Sequence, residues 1–490
     1  MILENGTIRT LDPSLPVAAA LAIAGERVAG AVGTHETALA TPDVVDLGGR
    51  CVVPGFTDAH VHFPTWALAR SELRLEDAET LEQALELVRG AVSRHKGGWL
   101  RGRGWRDIET TRQALDAVTG DVPTALLARD SHSLWINSAA LARADGDLEV
   151  PGGVVDLEAG VLREESAWHF RDAYVETADD EYVDAMREGL KVAASRGVTA
   201  IHDKDGWIGA LGFFQQLHAE GALTLRVWQS LPHARVDELA RLGLVSGLGD
   251  DRLRLGYLKA FMDGTLGSST ARLLDGSGIE ITSGEELAEI VTRAAAAGWP
   301  VAVHAIGDLA NREALDAFER TRGEWQPRGL RPRIEHAQLL AEEDVPRFAA
   351  LGVAASVQFS HAPSDRDLAD RLWAGMTHRA YAYRWLWDSG ALVANGSDAP
   401  IEELDPLAGI RAAALRDWHP EQALTVEEAL VATCVNPAVL AGDERRRGKL
   451  LPGYLADLVV LDRDPLEDVA GAEVVATMVG GRWVWNPPPW

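Results

Sequence analysis

The chain predicts an α/β protein: a (β/α)8 TIM barrel, a small β-sandwich domain built from both termini, and an insertion after the first barrel strand. Three observations carry this expectation. Between residues 55 and 398, eight short apolar segments alternate with Ala/Leu/Glu/Arg-rich stretches of helical period, the pattern of βα units around a parallel sheet. Residues 1–53 and 440–490 show strand-and-turn punctuation instead, so the two ends are expected to build one small domain around a central body at 54–439. Residues from about 64 to 180 are too long for one crossover. Insertions in that position shape the pocket at a barrel's mouth.

In chain order, turns at Gly6, Asp12-Pro13, Gly25-Glu26, Gly33 and Gly48-Gly49 cut the first segment into strands. The Ala-rich stretch 18–23 is its one helix-compatible piece. Barrel strands are expected at 55–60, 197–202, 223–231, 253–262, 299–304, 333–336, 353–358 and 392–398, with helices such as 285–297, 310–320 and 342–351 between them. The insertion holds a helix (80–93), strands (99–104, 124–129) and the turn Gly152-Gly153. Near the end, 455–461 reads as a buried strand and 474–485 as a hairpin-like piece around Gly480-Gly481.

A formal charge of −27 over 490 residues disfavours a nucleic-acid partner or an anionic membrane surface. No run of about 18 apolar residues occurs, so no membrane span is expected. The first residues lack a basic-then-apolar leader, and the only cysteines are Cys51 and Cys434; a reducing, cytoplasmic setting is expected. Sixteen tryptophans spread along the chain. Trp66, Trp105 and Trp135 suit either an aromatic pocket wall or core packing.

The motif that organises the chain is Pro54-Gly55-Phe56-Thr57-Asp58-Ala59-His60-Val61-His62. On a strand, residues i and i+2 face the same way, so His60 and His62 present two imidazoles to one point, as a divalent ion requires. Lys259, His304, His336 and Asp398 fall at or near the ends of the fourth, fifth, sixth and eighth predicted strands. A barrel converges these strand ends on one mouth, and histidines with carboxylates suit zinc or a similar ion. Each residue alone has a plainer reading. His304 and His336 could be hydrogen-bonded core histidines, Lys259 could pair with Asp263, and Asp398 could cap a helix after Pro400. Six together at strand ends favour the metal.

These motifs, with Gly453-Tyr454-Leu455-Ala456-Asp457-Leu458-Val459, resemble the metal-dependent amidohydrolase superfamily. The segments around Asp130-Ser131-His132, Lys259-to-Gly264, Val303-His304-Ala305-Ile306-Gly307-Asp308 and Ile334-Glu335-His336-Ala337-Gln338 resemble its YtcJ-like branch, which includes N-substituted formamide deformylases. The resemblance implies a hydrolase that cleaves a non-peptide, formamide-like carbon–nitrogen bond of a small molecule with metal-activated hydroxide. It places His60, His62 and Asp398 on the more buried ion, and His304 and His336 on a second. Lys259 would bridge them as an N-carboxylated lysine, and Asp398 would be the general acid/base. With Lys259 unmodified, a single ion is expected, His304 and His336 then serving partly in substrate binding.

Alternatives on the same site are a cyclic-amide or hydantoin hydrolase and a deaminase; a metal-free scaffold relative is the alternative of another class. A deaminase of this kind carries a glutamate after the fifth strand, where this chain has Ala305-Ile306-Gly307-Asp308. His132, His202, Trp135 and Gly264 are the substrate-side candidates. His202 ends the second predicted strand, and Gly264 opens a small-residue loop that lets backbone approach a ligand. Asp308 is expected to cap the following helix. A homodimer is expected by analogy with other such barrels.

Overall fold

In the computed structural model the central body is a barrel, as the sequence predicts. The structure describes residues 1–33, 43–95, 97–106, 108–129, 133–175 and 177–490. Eight parallel strands pair in chain order: Phe56–Val61, Val198–Asp203, Arg226–Pro232, Leu253–Phe261, Val301–Ala305, Arg333–His336, Ala354–Val357 and Val393–Asn395. The first and second are buried at every residue, because a parallel sheet under a ring of helices is covered on both faces. Just past the eighth strand, the Asp398 amide donates to the His60 carbonyl at 2.7 Å and the His62 amide to the Ala399 carbonyl at 2.9 Å. These two bonds bring the eighth strand's exit beside the first.

The eighth strand ends at Asn395 rather than at 398. Gly396 is the reason: a Cβ there would lie 2.3 Å from the His60 amide nitrogen, so the chain passes the first strand too closely for any side chain. Gly396→Ala is expected to destabilise the fold by about 1–3 kcal/mol and to displace His60, checked by urea unfolding together with metal content.

Helices follow their apolar spacing. Gly284–Ala296 turns Leu287, Ile290, Val291 and Ala294 inward and is capped by the Ser283 hydroxyl. Val426–Leu440 opens with a reciprocal capping box between Thr425 and Glu428.

Strands from both ends of the chain hydrogen-bond into one eight-stranded sheet. Leu458–Leu461 runs antiparallel to Cys51–Pro54, with Val460 opposite Val52 and Val459 opposite Val53. The two-residue period sorts this pair. Val52, Leu458 and Val460 pack into the sheet's own core, while Cys51, Val53, Val459 and Leu461 join the barrel's. The Ala-rich stretch 18–23 is strand, within Val17–Ala24, because it pairs on both sides with Ile2–Arg9 and Arg27–Gly33; tertiary pairing outweighs alanine's helical preference.

Residues 67–185 form a separate compact unit. Its six strands order as Gly153–Asp156, Val161–Glu164, Ser133–Ile136, Thr124–Ala128, Leu100–Trp105 and Leu73–Arg74. The helices Leu81–Val92 and Arg112–Thr119 pack with them around an apolar core that contains Leu115, Leu126 and Val161. No helix among the described residues is long and apolar enough to cross a membrane.

Candidate metal centre

The first strand delivers His60 and His62 to the barrel's end, and the turn after the eighth delivers Asp398. His60 Nε2 lies 3.3 Å, and His62 Nε2 3.6 Å, from Asp398 Oδ1. Two ligands held about 2.1 Å from one tetrahedral ion stand about 3.4 Å apart, so these spacings suit a shared cation. Asp398 holds a left-handed backbone (φ 57°), as does His336 (φ 75°). For residues other than glycine such conformations cost energy, and they cluster where a side chain must be aimed. Asp58 ties the two strands together: its buried carboxylate accepts from the Ser397 amide at 3.0 Å and from the His60 amide at 3.0 Å. Burial pushes Asp58 up to about 7.

Four histidines surround this point, and each is oriented from behind by an acceptor. His60 Nδ1 faces Glu335 at 2.8 Å, and His62 Nδ1 faces Asp205 at 2.7 Å. His304 Nε2 faces the Gly264 carbonyl at 2.9 Å, and His336 Nδ1 faces the Gln358 side-chain oxygen at 2.9 Å. Every partner atom is an oxygen acceptor, so the facing ring nitrogen donates and the other nitrogen keeps its lone pair. That is how proteins fix a histidine for a metal. The rings converge, with His336 4.8 Å from His60 and 4.5 Å from His304 between centroids. Burial holds His60 and His304 down at about 3, and His336 well below its ordinary value, so all three are the neutral form that ligates. His62, 30% exposed, differs. Burial opposes its charging, but the Asp205 and Asp398 carboxylates outweigh that and raise it to about 9, so a proton and a cation compete for its nitrogen.

Lys259 stands out for what it lacks. It is 1% exposed, and its Nζ has no hydrogen-bond partner; it lies 4.8 Å from the Phe261 ring. Burial lowers its pKa. Asp263 is not its partner, because that carboxylate accepts from the Arg272, Ile306 and Gly307 amides at 2.8–3.0 Å. Those bonds brace the loop that follows His304. Lys204, equally buried, contrasts with Lys259: its Nζ sits 2.9 Å from Glu335, and the Arg333 guanidinium sits 2.8 Å from the same oxygen. Both are charge contacts without hydrogen-bond alignment. Burial opposes the charging of Glu335, but Arg333 and His60 prevail and hold its pKa well below the usual range.

The sequence reading singled out none of Glu335, Asp205 and His361 for a role at the site. Glu335 and Asp205 carry a signal: each lies within three residues of a strand-end histidine. His361 follows the seventh strand by four residues, past the strand-end rule that found the others. Among the described residues, His60, His62 and Asp398 form one group of close ligand atoms, and His336, His361 and Asp398 another.

The other singled-out residues have definite places. Trp135 is fully buried and stacks edge-on against Trp105 at 6.3 Å in the core of the 67–185 unit; its strand alternation faces it into that core. Trp66 is 2% exposed and packs against Phe63. His202 is turned onto Arg333 (3.0 Å) and packs by Trp228, in the charge cluster around Glu335, and belongs to neither ligand group. The Gly264 carbonyl holds His304, and a Cβ at Gly264 would lie 1.9 Å from the Thr270 hydroxyl. Asp308 is the first residue of its helix rather than the cap, and its carboxylate holds the Leu274 amide and Arg379. Asp398 caps no helix; Asp405 caps the one that follows. His132 and Asp130 lie outside the described residues.

A model of the amidohydrolase family matches residues 43–485. The chain belongs to that family. It is accordingly an enzyme of the class that hydrolyses carbon–nitrogen bonds. YtcJ of Bacillus subtilis (strain 168) is 31% identical, with 94% of this chain and 93% of that protein covered. The N-substituted formamide deformylase of Arthrobacter pascens is 28% identical, with 98% and 97% covered. Among solved structures, an uncharacterized metal-dependent hydrolase from Pyrococcus furiosus superposes with a TM-score of 0.81 at 29% identity, covering 95% of this chain and 99% of that one. The donor set of imidazole lone pairs and one carboxylate, with an unpartnered buried amine beside it, fits a divalent metal.

Proposed function

We propose that this amidohydrolase cleaves a formamide-like, non-peptide amide bond of a small molecule at a site for two zinc-like ions. The observation that carries the reading is the set of four histidines, each tied by one nitrogen and open at the other, around Asp398. His60, His62 and Asp398 would hold one ion, and His304 and His336 the second. Lys259 would join them after its neutral amine adds carbon dioxide, releasing a proton and leaving a carbamate anion. The amine's isolation supports this, since a buried ammonium with no carboxylate in contact is costly, whereas Lys204 has Glu335 at 2.9 Å. When bound, such ions polarise a carbonyl and acidify water.

The chain's own residues do the rest. Asp398 is buried, which raises its pKa and suits it to take a proton from the attacking water and return it to the departing amine. Asp205 and Glu335 keep His62 and His60 in place while charge changes in front of them. The half-exposed Trp207 lies 5.5 Å from Phe261, whose ring lies 5.4 Å from His304. This aromatic row gives an apolar substituent of the substrate a surface beside the reacting group.

Elemental analysis of the purified protein, alongside formanilide hydrolysis, tests the reading. About two ions per chain are expected, falling in both His60→Ala and Lys259→Ala, together with release of formate and aniline. One ion, unaffected in Lys259→Ala, would remove the carbamate. No metal after supplementation would overturn the catalytic reading.

A further inference from the structure

We propose that His361 is a hydrogen-bond donor to the substrate rather than a metal ligand, and that Gln338 is the positioning residue that makes it so. His361 opens the helix His361–Leu372, just past the carboxyl end of the seventh strand. It is 4% exposed, and its ring lies parallel to that of His336, 6.4 Å away. By the spacing of its atoms it completes a possible ligand group with His336 and Asp398. Its hydrogen bonding says otherwise.

The four histidines described above each point one nitrogen at an oxygen acceptor, which leaves a lone pair facing the site. His361 reverses this arrangement. The Gln338 side-chain nitrogen lies 3.1 Å from His361 Nδ1, and an amide nitrogen can only donate. Nδ1 is therefore the acceptor, and the ring proton sits on Nε2. That nitrogen is buried and has no hydrogen-bond partner; it lies 3.9 Å from Asp398 Oδ2, beyond hydrogen-bond reach. A protonated ring nitrogen cannot bind a cation. It can donate to an oxygen gaining negative charge, and a buried donor without a partner is costly until something accepts from it. The helix start places further partial positive charge at the same point.

On the amide-hydrolysis reading, on which this assignment rests for its reaction step, the acceptor is the scissile carbonyl oxygen. That oxygen takes up the C=O electron pair as water adds to the carbon. The hydrogen bond from Nε2–H strengthens as that charge grows, so it lowers the barrier more than it tightens substrate binding.

The test pairs chemistry with two measurements that need no turnover. His361→Phe is expected to keep the wild-type metal content and to lower kcat on formanilide about 10²–10³-fold, with KM within a few-fold. Gln338→Glu, nearly isosteric, would accept from Nδ1–H and strip the proton from Nε2; an equal loss of kcat is expected, with metal retained. In ¹⁵N-histidine NMR, the wild-type resonance assigned through His361→Phe should be protonated at Nε2, and in Gln338→Glu at Nδ1. Loss of an ion in His361→Phe would make His361 a ligand and overturn the proposal, as would an Nδ1–H tautomer in the wild type or an unchanged kcat. If wild-type protein leaves formanilide intact, the formamide reading fails. The tautomer and the metal content then decide between donor and ligand by themselves.

Discussion

Asp398→Asn is expected to lower kcat for amide hydrolysis by about 10³–10⁴-fold while the fold stays intact. Asp398 stands 3.3 Å from His60 and 3.6 Å from His62, and among the described residues no other carboxylate forms a contact with both. Asparagine preserves the side-chain shape but removes the anionic ligand and the proton acceptor together. It also tolerates the left-handed backbone at this position (φ 57°), where alanine would add strain. The variant therefore separates chemistry from folding. Steady-state kinetics and elemental analysis should show lost turnover with weakened metal retention, and the thermal unfolding midpoint of the metal-free protein should stay close to wild type. A kcat within tenfold of wild type would remove Asp398 from its acid–base role.

Glu335→Gln is expected to cost stability as well as metal. Glu335 is fully buried against Lys204 and Arg333, both also 0% exposed, and it receives the His60 ring proton. Neutralising it leaves two buried cations facing each other, and breaking a buried charge cluster of this kind costs about 3–5 kcal/mol. His60 loses its anionic acceptor at the same time, for a further drop of about 10–100-fold in metal affinity. Urea unfolding of the metal-free protein reads the first effect and metal titration the second. The pH dependence has a definite sign. The folded pKa of Glu335 lies well below its ordinary value, so its contribution is present above about pH 4.3 and fades as pH falls through the folded pKa. The Gln variant should lack that acid-sensitive component. A variant as stable as wild type would mean that Lys204 and Arg333 are neutral or solvated in solution.

Much of the site was legible because a barrel turns a one-dimensional rule into a three-dimensional one. Parallel strands share one direction, so residues closing the first, fifth and sixth strands meet without any contact being known in advance. His60, His62, His304 and His336 are brought together in this way, with Lys259 near the end of the fourth strand and Asp398 in the turn after the eighth. The same rule pointed to His202, which the structure turns onto Arg333. It also passed over His361, which reaches the site from the start of a helix. Trp135 lies in the core of the 67–185 unit; composition cannot say which face of a strand is the inner one until the sheet has a partner.

By itself the sequence determined the barrel, the family resemblance and the candidate ligands, because hydrophobic period and strand-end position are local properties that survive folding unchanged. What only the tertiary structure decided was the state of each candidate ligand. Which ring nitrogen carries the proton, which lysine has a carboxylate in contact, and whether a histidine offers a lone pair or an N–H all depend on atoms far along the chain. Glu335 lies 275 residues from His60, and Asp205 lies 143 from His62. Hydrogen bonds and Coulomb forces act over a few ångströms of space whatever the separation in sequence, so that layer of the chemistry exists only once the barrel has closed.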